Sequence, residues 1–441
     1  MGLLIILLIY IVFLWWLTLI ISRDVFCPNA IICESYIIAL LCAIYNCKKW
    51  NSNLHLNTFF IILFGIVTFL IASSLYKTYG KKVIKSEKEE ISIIRFKKIN
   101  IIVLDIIAII IAIFYLKYFF KAINSFNVSS FSEKMEIYRN KTTYEGYVYI
   151  PTIVNFLAKM CRALAIIYAY IIINNGIYNK FNLHKYKDSN FIYYVIGIIT
   201  YIPLSIFSGA RFDIIVYAIT CVMMWYILYR KYSNKKIEIK NIIKIASVFV
   251  IIAFIFSEAR NLVGRNNNSN EFLDYFTQYF GGSIHCFDVY MQQNNENNGV
   301  FGQELFIGLR KFLYQIHVLS QKNNSKDIGK FVYMSNGEAI GNIYSAYRNM
   351  YHDFGYMGII IFQIILSIIF NKFYNYVLLK NKSKNNEKID YGILVYSTII
   401  FCLFFHSYSE YFYSTVLSFN YIMLFVWMKL ILIWLNKVKI L

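Results

Sequence analysis

A chain of 441 residues that is 59% hydrophobic, 19% aromatic and only 15% charged carries more apolar surface than a soluble core hides. Its 44 Lys and Arg outnumber its 24 Asp and Glu, for a formal net charge of +20. On a soluble domain that balance would suggest nucleic acid. Here the basic residues fall between long apolar runs and no nucleic-acid-binding module is visible, so the charge reads as membrane topology and attraction to anionic lipid.

The runs approach the ~20 residues that cross a bilayer as helix. They are continuous rather than alternating, which predicts helices and not a barrel. The expected fold is an all-α polytopic membrane protein with about eleven spans. They fall near 2–21, 26–45, 57–76, 101–120, 151–173, 191–207, 212–229, 242–257, 355–371, 391–407 and 411–435. The first, MGLLIILLIYIVFLWWLTLIIS, lacks a basic flank and a small-residue cleavage site, and reads as a retained span. Pro28 and Glu34 interrupt the second. Lys159 and Arg162 lie inside the fifth, where charges face a cavity or a partner; Asp105 and Glu34 are candidate partners.

Orientation follows from the joints. One set (22–29, 77–99, 174–190, 230–241, 372–390 and the tail from 436) holds 24 Lys and Arg in about 85 residues. The opposite set holds 15 in about 145, so the denser side is read as cytoplasmic. The chain then divides into spans one to eight (1–257), an outer loop (258–354) and spans nine to eleven (355–441). A loop that long carries function or structure of its own. Phe272, Tyr275, Phe276, Tyr279 and Phe280 follow helical spacing, as do Leu305, Phe306, Leu309, Phe312, Leu313 and Ile316. Both predict amphipathic helices at the membrane surface. The Asn-rich pieces 266–270 and 293–298 read as turns, and 77–99 as solvated cytoplasmic surface.

Three groups could carry chemistry on the outer side. Ser208-Gly209-Ala210-Arg211 is a tight joint that projects a guanidinium, either to bind carboxylate or phosphate or to reach lipid headgroups. Arg260 and Arg265, after Glu258, extend that cationic patch or pair locally. Last comes the stretch from Gly337 to Phe370, whose polar first half delivers Arg348, His352 and Asp353 to the start of an apolar run at Gly355 and Gly358. Asp353 suits a helix N-cap, and a helix N-terminus attracts anions; His352 suits a general base. The eight cysteines lie mostly in apolar runs, with no CxxC or zinc spacing, and predict neither a metal site nor a disulfide framework. No DxD, HExxH, Walker A or GxSxG motif occurs.

Asn342-Ile343-Tyr344-Ser345 followed by Asp353-Phe354-Gly355-x-x-Gly358 resembles the signature of oligosaccharide repeat-unit polymerases, the Wzy-type O-antigen polymerases. Tyr279-Phe280-Gly281-Gly282-Ser283 is similar to their second motif, and Ser208-Gly209-Ala210-Arg211 to their SGGR joint, with Ala for a Gly. Arg23-Asp24-x-x-Cys27-Pro28 resembles their early D-x-x-S-P, with Cys for Ser. The resemblance implies a membrane glycosyltransferase of GT-C-like architecture in the bacterial cytoplasmic (inner) membrane, acting at its extracytoplasmic face. Undecaprenyl-pyrophosphate-linked oligosaccharide would be both donor and acceptor, with no metal and no cofactor. A chain-length regulator is a partner the resemblance allows. It also implies roles: Arg211 and Arg260, then Arg265, Arg348 and Arg162, on pyrophosphate; Tyr279 and Tyr344 on sugar; His352 or Asp353 as base or its orienter. An O-antigen ligase shares donor and scaffold, and a lipid-linked oligosaccharide flippase is the rival from another class. The long loop argues against the flippase.

Overall fold

A computed structural model describes residues 1–74, 92–143, 145–181, 186–208, 212–233, 272–293, 300–320, 330–334, 337, 339–379 and 389–437. The predicted span 242–257, most of the basic loop 77–99, Glu258, the turn at 266–270 and nearly all of 293–298 lie outside them, as do Arg211, Arg260 and Arg265.

The described residues are mostly helical, and among them eight helices are long and apolar enough to cross a membrane. These are α1 (Gly2–Ser22), α2 (Pro28–Asn46), α3 (Leu56–Ser74), α4 (Lys98–Asn124), α6 (Thr152–Phe181), α8 (Phe212–Ser233), α11 (Tyr347–Leu379) and α14 (Phe419–Lys437). The protein is an all-α, multi-pass membrane protein. Between them lie α5 (Phe131–Thr143), α7 (Phe191–Phe207), α9 (Phe272–Gln292), α10 (Ile307–Gln315), α12 (Tyr391–Ile399) and α13 (Phe401–Phe404). Strands β1 (Val332–Tyr333) and β2 (Ala339–Gly341) form a small antiparallel hairpin.

Four elements differ from the sequence expectation, each for a local reason. Pro28 does not interrupt the second span but opens it, at a first-turn position where its missing N–H costs nothing. Glu34 is accommodated inside α2 by accepting the Trp15 indole N–H at 2.9 Å. The amphipathic segment at 272–280 continues to 292, because Gly281 and Gly282 are helical here rather than terminating. The apolar run 391–407 does not form one rod. It breaks after α12 and α13, and a π-helical turn, Phe412–Val416, precedes α14. Glu410 holds that turn with both carboxylate oxygens, accepting the Tyr413 and Ser414 N–H groups at 2.8 Å each.

The contacts divide the chain into two interleaved units. The first comprises residues 1–86, 270–379 and 399–421, among them α1–α3, α9–α11 and the irregular stretch. Within it, Asp24 bonds Tyr374 near the end of α11, and Asn29 bonds Asn371 at 3.2 Å. At the opposite end, His55 bonds Asp288 and Tyr356 bonds Asn57. Joints 22–29 and 47–55 therefore sit at opposite ends of this unit. The second unit comprises 87–269, 380–398 and 422–441, and is built on α4, α6, α7 and α8. There Asn175 holds the buried Ile94 backbone from both sides, at 3.0 and 3.1 Å.

Gly281 explains the contact of α9 with α2. A Cβ there would lie 2.6 Å from the Ala43 nitrogen and 2.6 Å from the Cys42 carbonyl carbon. Gly281→Ala must push two backbones apart, and the expected cost is about 1–3 kcal/mol. Gly176→Ala in α6 meets nothing within 4 Å and is expected to be neutral or slightly stabilising. Thermal unfolding in detergent, followed by fluorescence-detected gel filtration, checks the pair.

Candidate functional site

The site is organised by a break in α11. Gly355 has φ 61° and ψ −154°, a conformation open only to glycine. At Gly358 a Cβ would come within 2.5 Å of the Met350 carbonyl oxygen and of the Phe354 Cβ. The Asp-Phe-Gly-x-x-Gly spacing thus marks a kink where two helices meet: the first begins at Tyr347, the second follows Gly355 as expected, and Asp353 lies in the first and does not cap the second. Its carboxylate instead accepts the backbone N–H groups of Glu304 (3.1 Å) and Leu305 (2.7 Å). Phe301 packs on Phe354 before the kink and Phe306 on Phe362 after it, at ring distances of 4.9 and 5.7 Å. The turn 301–306 is thereby fixed across the break.

That turn delivers Glu304, a residue the sequence reading passed over. Its carboxylate receives Arg348 through two parallel bonds, Nη1 to Oε2 at 2.7 Å and Nη2 to Oε1 at 3.0 Å. Both side chains are buried, with 9% and 4% exposure. The Arg348 guanidinium also lies over the rings of Tyr290 (4.9 Å) and Tyr344 (4.7 Å). Such stacking adds about 1–2 kcal/mol where the cation is desolvated. His352, one turn beyond Arg348, bonds the Tyr290 hydroxyl through Nδ1 at 2.8 Å and places Nε2 3.8 Å from Glu304 Oε1. Burial pushes the Tyr290 phenol up and Tyr344 to about 12, so both stay neutral at ordinary pH.

Behind this cluster lies a second, fully buried polar network. Tyr36 on α2 bonds Ser345 at 2.9 Å and His406 Nδ1 at 3.0 Å, and His406 Nε2 meets the Gln363 amide at 2.8 Å. Tyr347 stacks on Tyr36, and at Gly65 of α3 any side chain would collide with the Tyr347 ring. The residues on either side of the Arg348 helix turn are therefore held by α2, α3 and the irregular stretch.

Of the residues singled out in the sequence, the structure brings Tyr344, Arg348, His352 and Asp353 together. Tyr279 stands apart, its ring stacked on Tyr408 at 5.0 Å. Arg162 belongs to the second unit, where its partner is Asp213 at 3.3 Å, not Asp105 or Glu34. Asp213 opens α8 and sits where the apolar pattern gave no sign of it. Sequence reasoning also missed His55, whose Nδ1 and backbone N–H both bond the buried Asp288, at 2.8 and 3.1 Å. For Glu304 a signal existed: a lone acid beside Leu305 and Phe306 in a pattern read as amphipathic. No group of three or more His, Cys, Asp or Glu able to hold a metal occurs among the described residues. Comparison with protein-family models, with curated proteins and with solved structures finds no match.

The buried pair makes a prediction. Arg348→Met leaves Glu304 charged and enclosed, and should destabilise by about 3–5 kcal/mol. Adding Glu304→Gln removes the stranded charge and should recover most of that loss. A double-mutant cycle on thermal unfolding in detergent reads both, and equal stability of the single and double variants would deny the coupling.

Proposed function

We propose that this protein is a membrane glycosyltransferase that polymerises undecaprenyl-pyrophosphate-linked oligosaccharide repeat units into surface polysaccharide. The observation that carries the reading is the convergence of Tyr344, Arg348, His352 and Asp353 on one buried polar cluster at a helix kink. These residues belong to the stretch that resembles the Wzy-type signature, and the Gly-x-x-Gly of that stretch makes the kink. In this reading the chain has eleven spans in the bacterial inner membrane and a GT-C-like scaffold. The 258–354 loop faces the extracytoplasmic side.

In the reaction, an acceptor sugar hydroxyl attacks the anomeric carbon of the growing chain. The bond from that carbon to pyrophosphate breaks, and undecaprenyl pyrophosphate leaves with the electron pair. The hydroxyl proton goes to His352. With Nδ1–H donating to the Tyr290 oxygen, Nε2 is the basic nitrogen, and Glu304 at 3.8 Å favours the imidazolium that forms. Asp353 is a positioning residue, because it holds the Glu304 and Leu305 backbone. Arg348 is committed to Glu304, whose two oxygens occupy the fork a phosphate would take. The leaving pyrophosphate is therefore left to Arg211 and Arg260, with Arg265 as second choice, all of them outside the described residues. Preorganised arginines stabilise the charge that develops on it.

Deleting the gene should leave single repeat units made and exported, and loss of all exported units would point to a flippase instead. In the deletion strain, His352→Gln should abolish polymer at normal membrane level. Arg211→Lys and Arg260→Lys should slow polymerisation, and the Ala variants more, by about 10²–10³-fold. Polymer length on gels, with an epitope tag for membrane level, is the measurement. Full-length polymer from His352→Gln would remove it as the base.

A further inference from the structure

The second unit holds a carboxylate that the proposed reaction does not use. Asp105 lies two turns into α4, a spanning helix, and is 4% exposed. Neither of its oxygens accepts a hydrogen bond of good geometry. No ion pair to it is found among the described residues. Tyr168 on α6 is its hydroxyl neighbour, and that hydroxyl reaches the Ile101 carbonyl at 3.5 Å.

The space around Asp105 is built rather than accidental. Gly197 on α7 faces it, and a Cβ there would lie 3.0 Å from Asp105 Oδ1 and overlap the Tyr168 ring. The absent side chain lets α7 close over α4 and α6 at this level. Tyr194, one turn earlier on α7, packs its ring 5.1 Å from Tyr168, and its buried hydroxyl also lacks a hydrogen bond of good geometry. Asp105, the Tyr168 hydroxyl and the Ile101 carbonyl thus come together in an apolar bundle, with the Tyr194 ring packed on Tyr168.

A carboxylate inside a membrane bundle is costly unless paired, and such residues mark ion or proton sites. Buried polar groups without protein partners are otherwise satisfied by water or an ion. A single negative charge among neutral oxygens matches a monovalent hard cation. Divalent and transition ions need more anionic or nitrogen ligands than this cluster offers. We propose that Asp105, with the Tyr168 hydroxyl and the Ile101 carbonyl, binds a sodium ion with water inside the α4–α6–α7 bundle.

The test uses the purified full-length protein in nanodiscs and does not depend on the polymerase reading, since no polymer is measured. A hydrophobic carbodiimide adds to a membrane-buried carboxyl to give a stable N-acylurea, with no leaving group, which mass spectrometry locates. Asp105 should be labelled in choline chloride. Sodium chloride at ten times the dissociation constant should slow labelling about tenfold, by simple occupancy. Choline at equal ionic strength should not. Asp105→Asn should lose the adduct, and Gly197→Ala should weaken sodium protection by filling the space. Labelling of Asp105 that sodium leaves unchanged would overturn the sodium site in favour of proton exchange alone. No adduct at Asp105 in monodisperse wild-type protein would also overturn it.

Discussion

The first unit depends on one constraint: a charged pair, Arg348 and Glu304, is enclosed where neither charge can be left alone. Desolvating each ion costs several kcal/mol, and only close two-pronged geometry with further bonds returns it. The neighbouring features supply that geometry. Gly355 turns the chain, which aims Asp353 at the backbone of 304–305. Asp353 fixes the turn, which sets the Glu304 carboxylate against Arg348. Tyr290 and Tyr344 cover the guanidinium, and Tyr290 comes from α9, which Gly281 allows to sit directly on α2. A change at any of these positions is felt at the pair.

The same economy governs the stretch between α12 and α14. Backbone that leaves the helix inside an apolar bundle must find partners within the protein. Glu410 caps the π-helical turn, Ser35 and Ser407 bond one another at 2.8 Å, and the Ala346 N–H reaches the His406 carbonyl at 3.1 Å. The irregular backbone is thus satisfied by polar side chains of α2 and by the segment entering α11. This ties the stretch to the residues beside Arg348.

Helix positions were legible because apolar length is a strong signal, and α1, α3, α4 and α7 lie within a few residues of expectation. The candidate site was legible in part. The glycine pair and the polar residues at 348, 352 and 353 mark it, since glycine spacing and charge beside an apolar run are local facts. What failed was anything decided by a distant partner. Asp353 satisfies the rule for a cap of the helix after Gly355, yet it lies in a preceding helical segment, Tyr347 to Phe354, that has no apolar signature, and its carboxylate is taken by the 304–305 backbone. Glu304 lies 44 residues from Arg348. Asp213 and Arg162 lie 51 apart. Nothing in periodicity links such pairs, and the apolar spacing that marks α9 ends at Phe280, where Gly281 and Gly282 carry no side chain to continue it.

The charge count at the cluster bears on the proposed chemistry. Arg348 contributes one positive charge and Glu304 and Asp353 two negative ones. With His352 neutral the cluster therefore carries a net negative charge, and with it protonated it is neutral. Carboxylates in excess at such a cluster disfavour a further anion such as pyrophosphate and favour a cation in its place. A polymerase needs two properties, at two places: cations where the leaving group departs, and a carboxylate-backed base where the acceptor enters. Placing the base at His352 obliges the pyrophosphate to be held by other arginines. The sequence offers candidates at 211, 260 and 265, which lie outside the described residues.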